Sequence, residues 1–71
     1  MSTVDETIGR NLARIRTEAG VSVMHLAEAL DVSSEEIPSL EDGSKRITAS
    51  QIWVLSEFLG KPVSAFFEGA A

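Results

Sequence analysis

The feature that most constrains this chain is its punctuation: hydroxyl residues and glycines recur at intervals that leave room only for short helices. Thr3, Ser22, Ser33 and Thr48 each stand just before an apolar-periodic stretch, and Gly20, Gly43 and Gly60 each follow one. A hydroxyl accepts hydrogen bonds from the unpaired N–H groups of a helix's first turn, and glycine takes the left-handed conformation common just past its end. No strand pattern, internal repeat or low-complexity tract lies between these marks, so an all-α fold is expected.

Thr3 and Glu6 have capping-box spacing, and Val4, Ile8, Leu12, Ile15 and Ala19 share one face, which predicts a helix over about 4–18. Glu6–Arg10 and Arg14–Glu18 are spaced for i,i+4 ion pairs. Ser22 opens a second helix to Leu30, with Leu26, Ala27 and Leu30 inward, and Asp31 and Val32 form a turn. Ser33 and Glu36 repeat the capping-box spacing over a third helix, about 33–42, whose apolar face is Ile37 and Leu40. Pro38 would sit at its fifth position, where it removes a hydrogen bond and crowds the carbonyl of Ser34, so a kink or early break is expected. Thr48 and Gln51 cap a fourth helix presenting Ile52, Leu55, Phe58 and Leu59. Pro62 favours a short fifth helix that tucks Val63, Phe66 and Phe67 onto the core. Residues 1–71 read as one domain with frayed ends at 1–3 and 69–71.

Seventy-one residues, 44% of them hydrophobic, suffice for one small core near the lower limit of independent folding. No cysteine is present, which excludes disulfides, thiolate metal sites and thiol catalysis. No apolar run approaches the roughly 20 residues a membrane span needs. The opening MSTVDETIGR has neither a basic start nor an apolar stretch, so it does not read as a signal peptide and a cytoplasmic location is expected.

Charge is unevenly placed. Residues 31–43 (DVSSEEIPSLEDG) hold five acidic side chains and no basic one, while the chain's net charge is −5, so the remainder sums to zero. A pI near 4.6 gives no long-range attraction to nucleic acid unless the six cations gather on one face.

From Val23 to Ile37 the spacing is that of a helix-turn-helix: small Ala27 for close helix approach, a turn at Asp31, and an apolar lock at Ile37. With Ile8-Gly9, Leu12, Arg16, Gly20-Val21-Ser22, Leu26-Ala27, Val32-Ser33, Glu41, Gly43, Leu55 and Leu59, residues 8–68 resemble the phage-repressor/Cro-like, or XRE-type, family of bacterial regulators. The resemblance implies a five-helix repressor-like domain that binds double-stranded DNA, with helix three in the major groove, and it implies a structural ion pair between Arg16 and Glu41. By family position, Ser34, Glu35 and Ser39 would face bases, and Lys45 and Arg46 would hold phosphate. The chain departs from the family at several contact positions. Val23 stands where a phosphate-binding Gln is usual, Asp42 where Asn is frequent, and Asp31 where the turn usually has Gly.

Two functions follow. One is a small transcriptional regulator acting as a homodimer on two half-sites. The other is a repressor-fold module whose acidic helix three meets a basic protein instead of DNA. Glu35 lies at a base-reading position, whereas Glu36 suits the helix dipole and the capping box. Trp53 either covers the seam between helices four and five or forms a dimer contact. His25 with Glu28 is short of the three or four ligands zinc needs, and a lone His offers no catalytic triad, so no metal, cofactor or enzymatic activity is expected.

Overall fold

The computed structural model describes residues 3–70, with side chains from Val4 onward. Among these residues four α-helices, α1 (Thr3–Glu18), α2 (Val23–Leu30), α3 (Ile37–Glu41) and α4 (Ala49–Leu59), are accompanied by two 3₁₀ turns, Ser34–Glu36 and Val63–Phe67. No helix among them is long and apolar enough to cross a membrane. The cap expected of the Thr3 side chain lies outside the described residues.

Where the caps can be followed, most act as their chemistry dictates. Ser22 Oγ accepts the His25 N–H at 3.1 Å. Thr48 and Gln51 form a reciprocal box, with Gln51 N–H on Thr48 Oγ1 at 3.2 Å and Thr48 N–H on Gln51 Oε1 at 2.9 Å. At the end of α1, Gly20 is left-handed at φ 71, and Val21 N–H returns to Arg16 O at 3.1 Å.

The third segment differs from expectation. Ser33 makes no side-chain cap, and Glu36 turns instead to Lys45. The cause is the 3₁₀ turn, in which the Glu36 N–H bonds the Ser33 backbone carbonyl at 3.0 Å and no longer needs the hydroxyl. The continuous helix expected over 33–42 is split for a related reason. Pro38 has no N–H for the carbonyl of Ser34, and the Ile37 N–H takes that acceptor. The α-helix proper begins at Ile37, which places Pro38 in the first turn, where a missing donor costs nothing. The fifth helical segment likewise is a 3₁₀ turn.

The core draws on all four helices and the last turn: Ile8, Leu12 and Ile15 from α1, Leu26 and Ala27 from α2, Ile37 and Leu40 from α3, Ile52 and Leu55 from α4, and Phe66 from Val63–Phe67. Ile47, in the loop before α4, completes it. Val4, Ala19, Phe58, Val63 and Phe67, expected on inward faces, are exposed. Ala19 falls beyond the end of α1. Phe67 follows Phe66 by a third of a turn and so faces away from it. Phe58 is 45% exposed and lines, with small Ala29, a groove between α2 and α4.

Two contacts set the position of α1. A Cβ on Gly9 would lie 2.5 Å from Leu40 O and 2.6 Å from Glu41 O, so only glycine lets α1 approach the α3 backbone this closely. Buried Asn11 donates both its Nδ2 hydrogens, to Phe66 O and Glu68 O at 2.9 Å each, tying α1 to the C-terminal turn. Arg14–Glu18 forms the expected i,i+4 pair at 3.8 Å. Glu6 and Arg10 do not pair with each other among the described residues, and Glu6 packs against Gly43, where an added Cβ would sit 2.7 Å from Glu6 Cα.

Candidate nucleic-acid interface

Asp31 is the only non-glycine with positive φ among the described residues, at φ 57 and ψ 46. It closes α2 as glycine would: its N–H bonds Glu28 O at 3.2 Å and the Val32 N–H bonds Ala27 O at 3.0 Å. That turn delivers the chain into the 3₁₀ turn, where Ser34 and Glu35 are exposed. Ser39, further along α3, is half-buried. Its carbonyl accepts the Lys45 N–H at 3.0 Å and the Ser44 hydroxyl at 3.3 Å, which folds the following loop back onto α3.

Asp42 acts within that loop. Ser44, through its side-chain dipole and then its backbone N–H, holds the Asp42 carboxyl below the usual aspartate range. The Ser44 N–H lies 2.8 Å from Asp42 Oδ1.

The two loop cations are each paired with a carboxylate. Lys45 Nζ lies 2.9 Å from Glu36 Oε2, and Arg46 Nε lies 3.5 Å from Asp5 Oδ2. Both pairs reach solvent, so a competing anion can exchange with the carboxylates. Behind them, Arg16 Nε lies 2.6 Å from Glu41 Oε2, with the two side chains 18% and 15% exposed, and its Nη1 donates to Val21 O at 3.0 Å. This guanidinium joins α1, the end of α3 and the loop before α2.

The acidic segment is therefore less free than its composition implies. Glu36, Glu41 and Asp42 are engaged within the chain. Asp31 and Glu35 have no side-chain partner among the described residues. Sequence reading did not single out Asp5, Asn11 or Ile47. Asp5 is 41 positions from Arg46, and no local signal connects them. His25 and Glu28 belong to no group of three or more metal-ligating side chains among the described residues.

No family profile matches the chain. It is 36% identical over 67 residues to an uncharacterised HTH-type transcriptional regulator of Sinorhizobium medicae, covering 94% of this chain and 48% of that protein. A second uncharacterised regulator of this type, from Rickettsia conorii, is 30% identical over 66 residues, which is 93% of this chain and 53% of that protein. Among solved structures, the clp gene regulator ClgR of Corynebacterium glutamicum superposes with a TM-score of 0.83 at 29% identity, covering 93% of this chain and 86% of that one. The fold is the repressor-like helix-turn-helix of XRE-type transcriptional regulators. This XRE-type domain also matches the DNA-binding domain of BldD with a TM-score of 0.79 at 27% identity, over 94% of its own length and 99% of that domain. It spans about half the length of the curated relatives it matches. At the head of α2 the domain places half-buried Val23, packed against the core, with no polar group to offer there.

Proposed function

We propose that this XRE-type domain is a DNA-binding transcriptional regulator that acts as a homodimer in the cytoplasm and sets segment 33–42 into the major groove of each half-site. The observation that carries the reading is the backbone at Asp31. A non-glycine residue held in a left-handed turn keeps the helix-turn-helix geometry intact while leaving Ser34 and Glu35 exposed at the head of the next segment. In this arrangement the hydroxyls of Ser34 and Ser39 donate to or accept from base edges, and the Glu35 carboxylate accepts from cytosine N4.

Lys45 and Arg46 would meet phosphates by exchanging Glu36 and Asp5 for them. Only two cations reach phosphate in this arrangement, so the affinity falls only gently with salt. The dimer contact is assigned to Trp53, which is 61% exposed and borders an uncharged cleft with Ile52, Val63 and Phe67. The reading in which the acidic segment binds a basic protein gains no support, because Glu36, Glu41 and Asp42 are already engaged internally.

The test is an amide-shift NMR titration of the labelled protein with duplex DNA at low salt. Shifts centred on residues 33–46 are expected. An unchanged spectrum from a folded protein would overturn the proposal.

A further inference from the structure

We propose that the groove between α2 and α4 docks an amphipathic helix of a partner protein, one whose apolar stripe is flanked by lysine or arginine. The groove has a volume of about 790 Å³ and a floor of Val21, Ala29, Val54 and Phe58. That is room for more than one anchoring side chain, as a helix supplies at i and i+3 or i+4. None of the residues assigned above to DNA lines it, so the inference stands apart from the proposed DNA reading.

Charge decides the occupant. Glu28 and Glu57 edge the groove, both exposed, and no lysine or arginine lines it. Neither glutamate takes part in any of the ion pairs formed among the described residues. A second copy docked here about a two-fold axis would set each glutamate against the same acidic rim of its mate, which is unfavourable. The uncharged cleft beside Trp53 carries no such penalty, so self-association belongs there. DNA is repelled from the groove by the same two carboxylates. A helix with basic flanks satisfies floor and rim together.

The experiment uses two synthetic helix-forming peptides with an identical leucine stripe, one flanked by lysine and one by glutamate, each titrated into the labelled protein and followed by NMR. The lysine peptide should shift the amides of Val21, His25, Glu28, Ala29, Val54, Glu57 and Phe58. It should bind about tenfold more tightly than its glutamate twin, the factor that two exposed ion pairs supply. The double variant Glu28→Gln with Glu57→Gln, both at exposed positions, should remove that preference with the spectrum of the fold retained. Phe58→Ser should weaken both peptides. Equal affinity for the two peptides, or lysine-peptide shifts centred on 31–43, would overturn the proposal. So would shifts of the groove residues on simple dilution, which would make the occupant a second copy.

Discussion

Lys45 Nζ rests 2.9 Å from Glu36 Oε2, so the loop lysine proposed to hold phosphate meets a carboxylate of the same chain. Nine positions separate the two residues, and the pairing depends on the loop folding back onto the Ser39 carbonyl. A neighbouring carboxylate competes with phosphate for the same ammonium, and this sets the direction of the first prediction.

Glu36→Gln should raise affinity for duplex DNA severalfold at low salt, and Lys45→Ala should lower it by a similar factor and reduce the salt slope by about one. Fluorescence anisotropy at several salt concentrations reads both. A Lys45→Ala protein with unaltered affinity and slope would remove Lys45 from the interface.

Trp53→Ser should convert a dimer to a monomer without unfolding it, since the ring is 61% exposed. Sedimentation velocity across a concentration series reports the change. A wild-type protein that stays monomeric at high concentration would remove the dimer contact from Trp53.

Arg16→Ala should cost about 2 kcal/mol of stability, because it leaves Glu41 and the Val21 carbonyl without a charged donor. Urea unfolding of Arg16→Ala, Glu41→Ala and the double variant should show coupling between the two. Additive losses would mean that the pair contributes little beyond its separate side chains.

Gly9→Ala and Asp31→Gly should move stability in opposite directions. The added Cβ at Gly9 meets the Leu40 carbonyl, an overpacking worth about 1–3 kcal/mol. Glycine at position 31 relieves a left-handed aspartate and should gain up to about 1 kcal/mol. Thermal unfolding checks both, and a tolerated Gly9→Ala would contradict the close approach of α1 to α3.

Asp42 gives a pH prediction. The Ser44 side-chain dipole and backbone N–H lower its folded-state pKa, so the folded protein binds that proton more weakly than the unfolded chain does. The stability this supplies is present above the ordinary aspartate range and is lost as pH falls through the folded value. Asp42→Asn should therefore flatten the acid limb of the stability curve below about pH 4. Superimposable acid limbs would show that the turn does not depend on the ionised carboxylate.

What the chain determined by itself was local. The Ser22 cap, the Thr48–Gln51 box and the glycine at position 20 act within a few residues, so their chemistry can be read from order alone. The same locality explains the one cap that failed: Ser33 has the right spacing, but Pro38 imposes a 3₁₀ entry that serves the Glu36 N–H from the backbone. Helical period also located most of the core, since Leu12, Leu26, Leu40 and Leu55 are inaccessible to solvent. The Arg16–Glu41 pair was legible only through family resemblance, because nothing local links residues 25 apart.

Tertiary structure alone decided the rest. Asp5 meets Arg46, Asn11 meets the last turn and Ile47 enters the core because distant segments pack together, and sequence spacing carries no record of that. It also left Phe58 and Trp53 exposed on a helix whose period alone does not say which flank another helix will cover. Short-range hydrogen bonds and periodicity belong to one segment at a time. Burial and charge pairing belong to pairs of segments, and they exist only once the chain has folded.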